Sequence, residues 1–169
     1  MDYGNATLYG LPSNQIDRLQ SVMNAAARLV LSAWKYEHVT PLLHDLHWLW
    51  VPEQIEFKLA VLVFRCLHST APTYLADELD GVTDSDSGRR LCSASTSALV
   101  VLPTRRMTIG DRAFLVCGAH VWNALPSFVT DSANVATFKS HLKTYLFARS
   151  LSLDRDLVKR YVFKLPHSH

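Results

Sequence analysis

Residues 12–34 read "PSNQIDRLQSVMNAAARLVLSAW", and their spacing decides the fold class. Ile16, Leu19, Val22, Met23, Ala26, Leu29, Val30 and Ala33 recur at steps of three and four, the period that lines one face of an α-helix. Ser13, following Pro12, supplies a hydroxyl suited to an N-cap, so the spacing predicts an amphipathic helix from Asn14 to Trp34. Its other side carries Asp17, Gln20, Ser21, Asn24 and Arg28. Gln20, Asn24 and Arg28 stand one above the next at steps of four and form a polar stripe. Such a stripe could track a sugar–phosphate backbone. A plain solvated face looks the same and is the commoner case.

Further helices are legible on both sides of a break. "VTPLLHDLH", residues 39–47, opens a short one with Thr40 as cap and Pro41 in the first turn, where a missing N–H costs nothing; "HWLW" is its apolar exit. Pro52 starts a third through His68, apolar nearly all round at Ile55, Leu59, Ala60, Val61, Leu62, Val63, Phe64, Cys66 and Leu67, as a central buried element would be. "TAPTYLADEL", residues 70–79, predicts a fourth, short helix around Pro72. Residues 81–97, "GVTDSDSGRRLCSASTS", lose all period and read as a flexible linker. "ALVVLP" and "RMTI", flanking "TRR", predict a short β-ribbon. Ala113, Phe114, Val116, Cys117, His120, Val121 and Ala124 restore helical spacing until "LP" stops it. A last clear helix starts near Asn134, with Val135, Phe138, Leu142, Tyr145 and Leu146 inside and Lys139, Lys143 and Arg149 outside; the tail predicts a separate short basic helix. The expectation is a mainly α fold, a helical bundle followed by a loop, the ribbon and further helices.

Composition narrows the function classes. The chain has 169 residues, 49% of them hydrophobic, enough for a packed core. The longest apolar run, Leu59 to Phe64, falls far short of the ~18–20 residues that cross a bilayer, and the N-terminus lacks a basic-then-apolar signal layout. Cys66, Cys92 and Cys117 are widely spaced and odd in number, which favours reduced thiols used as small apolar residues. The expected setting is intracellular, nucleus or cytoplasm. The net charge of +2 conceals an asymmetry: residues 1–81 hold five Lys/Arg against nine Asp/Glu, a sum of −4, and residues 82–169 hold twelve against six, a sum of +6. The second half is suited to a polyanion, although its cations are spread out as they are on an ordinary solvated surface.

Reactive residue types are present without reactive partners. His44 with His47, and Cys117 with His120, are helical i, i+3 pairs that together would make a zinc tetrahedron. With eight histidines and three cysteines such pairs arise by coincidence, and Cys117 and His120 fall on an apolar face, so no metal is assigned. "DSD" at Asp84 to Asp86 and "DRD" at Asp154 to Asp156 read as solvated charge. There is no phosphate loop, dinucleotide fingerprint or Gly-x-Ser-x-Gly elbow. "GDRAFLVCGAHVWNALP", residues 110–126, reads as packing: Phe114, Val121, Trp122 and Leu125 as core anchors, Asp111 and Arg112 as a pair in the first turn, Asn123 as a local hydrogen bonder. No residue is assigned a catalytic role and no cofactor is expected.

The order of the motifs resembles the C-terminal part of the reverse transcriptase of non-LTR, LINE-type retrotransposons. "DYGNATLYGLP", "RLQSVMNAAARLV", "HVTPLLHDLHWLWV", "IEFKLAVLVFRCLHSTAPTYLADEL", "GDRAFLVCGAHVWNALP" and "FKSHLKTYLF" match successive segments of that family in order and in spacing, over residues 2–149. The family has Pro where this chain has Trp50, Cys where it has Gly4, and other residues at Cys117 and His120, which weakens the zinc reading further. The resemblance implies a thumb-like helical region over residues 1–80 and a C-terminal helical extension over 98–149; the residues themselves read as a linker over 81–97 between them and a basic tail over 150–169 beyond the matched segments. It also implies that the catalytic carboxylates, an aromatic-Ala-Asp-Asp motif of the palm, and the endonuclease lie upstream of this chain.

The function implied is that of a non-catalytic fragment of an RNA-directed DNA polymerase contacting the RNA/DNA template–primer duplex. By that analogy Gln20, Asn24 and Arg28 are the leading contact residues, with Arg18 beside them; Arg105, Arg106, Arg112, Lys139 and Lys143 are secondary phosphate contacts. The competing expectation is a helical protein-interaction module that meets a polymerase palm, or a second copy, through exposed apolar surface. Trp48, Leu49 and Trp50 would be its anchors, unless they pack between the first and third helices. A retroelement remnant with no selected role is the third reading.

Overall fold

The computed structural model describes residues 8–72, 75, 99, 101 and 114–162. Their fold is mainly α, as the periodicity predicts, with six helices and no strand among the described residues. The helices are α1 (Ser13–Val30), α2 (Val39–Asp45), α3 (Val51–Leu67), α4 (Phe114–Asn123), α5 (Ser127–Thr130) and α6 (Val135–Val162). None of them is long and apolar enough to cross a membrane. The linker over 81–97, Arg105, Arg106, the Asp111–Arg112 pair, all of the fourth helix but Pro72, Leu75 and their approach, and all of the β-ribbon but Leu99 and Val101 lie outside the described residues.

The chain folds as two compact units, each drawn from separated stretches: Met1–Gly10 with Ile55–Leu142, and Leu11–Gln54 with Lys143–His169. In the first, Ile55, Leu59, Val63 and Phe64 of α3 are buried, as are Val116, Cys117, Val121 and Trp122 of α4, Val129 of α5, and Phe138 and Leu142 of α6. Its centre is aromatic. Phe64 and Phe138 stack with centroids 4.3 Å apart, and Trp122 stands 5.9 Å from Phe138 and 6.4 Å from Phe64. Each such pair contributes about 0.5–1.5 kcal/mol beyond the area it buries. Gly118 lets α4 approach α3 closely: a Cβ at that position would lie 2.9 Å from Val63 Cγ2. In the second unit Ala27, Leu42 and Leu43 form a buried cluster, against which Met23, Ala33, Val39, Leu46, Trp48 and Trp50 pack.

Helix boundaries depart from expectation for identifiable reasons. α1 stops at Val30, not Trp34. Ser32 adopts φ 51, and Ser32 N–H and Ala33 N–H donate to Leu29 O and Arg28 O, the Schellman pattern. His47 (φ 54) ends α2 the same way, with Trp48 N–H on Leu43 O, and Ser69 (φ 51) ends α3, with Thr70 N–H on Arg65 O. None of the three positions is glycine, so the composition carries no stop signal. Ser13 is the first residue of α1, not its cap, and Pro12 O accepts Gln15 N–H at 3.0 Å. Thr40 likewise lies inside α2, which begins one residue earlier at Val39, and His38 precedes it without a side-chain cap. At the start of α6, Asn134 Oδ1 accepts Thr137 N–H at 2.8 Å, a true side-chain cap. The basic tail is not a separate helix: α6 runs without a break from Val135 to Val162. α5, directly after the "LP" that stops α4, carries no periodic signal of its own in four residues.

Candidate nucleic-acid interface

The largest correction concerns which side of α1 faces inward. Gln20 and Ala27 are its buried residues, and Val22, Leu29 and Val30, expected in the core, are 53%, 81% and 59% exposed. Ile16, Leu19, Met23, Ala26 and Ala33 are half-buried. The polar stripe is therefore not a solvated face. Gln20 Oε1 accepts the N–H of Val51, the first residue of α3, at 2.8 Å, and Gln20 Nε2 donates to Asn24 Oδ1 at 2.7 Å. A helix start requires acceptors for its first N–H groups, and here one comes from a glutamine on another helix. Gln54 Nε2 donates to Leu49 O at 2.8 Å and faces Met23 Sδ at 3.0 Å, so two amides fix the "HWLW" segment between α2 and α3. Small Ala27 and hydrogen-bonding Gln20 suit that close approach better than Leu29 would.

Arg28, at the end of the stripe, donates through Nη2 to Glu37 O at 3.2 Å. The turn it holds is closed by two further bonds: Trp34 N–H donates to Glu37 Oε2 at 3.2 Å, and Glu37 N–H donates to Trp34 O at 3.0 Å. Arg18 is exposed on the opposite side of α1 from Ala27. Of the secondary candidates, Lys143 is exposed and Lys139 half-buried on α6, one turn apart, with Phe138, Leu142 and Leu146 fully buried on its inner side. Arg105, Arg106 and Arg112 lie outside the described residues. Thus Gln20, Asn24 and Arg28 are brought together, but their hydrogen bonds serve the fold, whereas Arg18 and Lys143 project to solvent.

The anchors expected for a protein partner are also corrected. Leu49 is buried, and Trp48 and Trp50 are half-buried against the α1–α2 cluster, so these three pack. The exposed apolar residues that sequence reasoning missed include Val22, Leu29, Val30, Phe128, Trp34 (84% exposed) and Tyr36 (89% exposed). A single apolar period spread around much of α1 could not say which part of it was covered.

Among the described residues, no three His, Cys, Asp or Glu side chains gather as metal ligands. His44 and His47 instead lie against the ring of Phe147, at centroid distances of 5.4 and 6.3 Å. Cys117 is buried, its Sγ donates to Phe114 O at 3.5 Å, and burial pushes its thiol above the ordinary value. Burial likewise raises Tyr9, with smaller contributions from Cys117 and Glu56. Asn123 is a long-range hydrogen bonder, not a local one: its Oδ1 accepts Leu99 N–H at 2.9 Å and its Nδ2 donates to Leu99 O at 2.8 Å. Arg149 lies 3.9 Å from the buried carboxylate of Glu53. No family model, no curated protein and no solved structure matches the chain.

Proposed function

We propose that this chain is a non-catalytic helical part of a LINE-type reverse transcriptase that grips nucleic acid, and that α6 is a principal contact surface. The observation that supports this reading is the charge on one uninterrupted helix. Val135–Val162 contains Lys139, Lys143, Arg149, Arg155, Lys159 and Arg160 against Asp154 and Asp156, six positive charges to two negative, of which Arg149 is turned to Glu53. Its 28 residues extend about 42 Å, longer than one turn of a nucleic-acid duplex at about 34 Å. Contacts of this kind go to phosphates, so they hold a duplex without reading its sequence. The reverse-transcriptase frame rests on the ordered motifs between Asp2 and Phe147. The chain contains no Asp-Asp dipeptide, so the proposal is binding without polymerisation.

The test is a titration of the purified chain with a labelled RNA–DNA hybrid duplex at several salt concentrations, run beside a primer-extension assay. Salt-dependent binding with no extension is expected. Primer extension by the chain alone, or no binding at low ionic strength, would defeat the proposal.

A second reading has its own support. The outer face of α1 exposes Val22, Leu29 and Val30, aliphatic side chains that a helix in water would bury. A protein surface, a polymerase palm or a second copy of the chain, is the partner that fits them. Light scattering on the same samples separates the readings: self-association that persists at high salt, without duplex binding, favours the protein partner.

A further inference from the structure

Resting on the nucleic-acid reading above, we infer that the turn Trp34–Lys35–Tyr36 is a stacking platform for unpaired bases, distinct from the phosphate-contacting face of α6. Two observations carry this. The first is that both rings are almost wholly in water: Trp34 is 84% and Tyr36 89% exposed, far beyond what aromatic side chains of a folded domain usually show. The second is that the turn is held firmly. Arg28 grips the carbonyl of Glu37, and Trp34 and Glu37 exchange one side-chain and one backbone bond, at 3.2, 3.2 and 3.0 Å. Two large rings are thus presented by a fixed turn, where a loose loop would lose more freedom on binding.

The residue order favours nucleic acid over protein. The aliphatic side chains exposed on α1 stop at Leu31, and the stretch Trp34–His38 contains none. It alternates instead: ring, cation, ring. Lys35 Nζ lies 5.9 Å from the centroid of the Tyr36 ring, which places a positive charge beside one of the two exposed rings. Unpaired nucleic acid alternates the complementary groups, a flat base and an anionic phosphate, and stacking tolerates any base because every base has a π face. The only acid in the stretch, Glu37, has its carboxylate turned to the Trp34 N–H. In a duplex the bases are already stacked on one another, so the platform selects single strand, whereas the α6 contacts do not.

The experiment titrates the full chain with oligo(dT), which has no structure of its own, and separately with the hybrid duplex, reading tryptophan fluorescence and anisotropy. Trp34→Ala and Tyr36→Ala are the variants. Both side chains are exposed, so an unchanged circular-dichroism melt is expected to show that the fold survives. The platform predicts that each variant loses about tenfold or more in oligo(dT) affinity and little in duplex affinity. If both variants bind oligo(dT) as the native chain does, the platform is wrong and the duplex reading stands. If the native chain binds duplex but not oligo(dT), the platform is again wrong. If it binds neither at low salt, both readings fall. Loss of self-association in Trp34→Ala, without any binding of oligo(dT), would assign the turn to a protein contact and overturn the proposal.

Discussion

At Gly118 two physical effects oppose each other, and their magnitudes decide the outcome. Alanine is the better helix former by about 1 kcal/mol, which by itself would stabilise α4. Its Cβ, however, would meet Val63 Cγ2 at 2.9 Å, and the branched, fully buried valine has no free rotamer to retreat into. Overpacking of that kind costs about 1–3 kcal/mol. Gly118→Ala is therefore expected to lower stability in urea unfolding, and Val63→Ala is expected to cost less in its presence than alone. A neutral or stabilising Gly118→Ala would show that α3 and α4 are not in close approach. Titration at Cys117 makes a second test at this scale. Its thiol is raised above the ordinary 9.0 by burial, so the folded state holds its proton longer than the unfolded chain does. The stabilisation is complete below pH 9, the unfolded value, and is lost as pH rises toward and through the raised value. Alkaline melts should fall more steeply for the native chain than for Cys117→Ala; parallel curves would contradict the burial of that thiol.

Among the elements, helix existence was legible, but the ends of α1 and α6 were not. Apolar residues at steps of three and four located α1, α3, α4 and α6, and Pro12, Pro41 and Pro52 marked the beginnings of α1, α2 and α3 to within two residues. The end of α1 was hidden because Ser32 occupies a left-handed position that usually announces itself as glycine, whereas α2 and α3, ended in the same way by His47 and Ser69, close within two residues of expectation. A side chain at such φ values costs about 1 kcal/mol or more. Ser32→Gly and Ser69→Gly are therefore each expected to raise stability by roughly 0.5–1 kcal/mol, after the entropy glycine adds to the unfolded chain is allowed for. Destabilisation by both, measured as a fall in the urea midpoint, would argue against the Schellman ends. The continuation of α6 past Arg149 was missed for a different reason: its hydrophobic period fades after Leu146, and a helix whose second half is charged reads as a tail.

At the scale of the whole molecule, the class of fold followed from the pattern, but the inward side of α1 did not. The residues that decided it, Gln20 and Ala27, are one polar and one small, and only the unmet N–H of Val51 explains why an amide is buried there. The separation into two units was equally hidden, because each is assembled from stretches far apart in sequence. For the candidate site, charge was legible and orientation was not. The +6 of residues 82–169 suits a polyanion, and of the two lysines expected on the outer side of their helix Lys143 is exposed and Lys139 half-buried. The stripe of Gln20, Asn24 and Arg28 was suggestive by spacing alone, but its groups hold α3 and the Trp34 turn in position. Conversely, Trp34 and Tyr36 carried no periodic signal and emerge only from their exposure.

The most direct test of the proposal that this chain holds nucleic acid without copying it is the salt dependence of its affinity for an RNA–DNA hybrid. Each phosphate neutralised contributes about 0.7–0.9 to the slope of log K against log salt. The native chain should show a clear negative slope, and replacing Lys139 and Lys143 together by glutamine should reduce its magnitude by about 1.4–1.8. A slope near zero for the native chain, or one that the double variant leaves unchanged, would contradict the account.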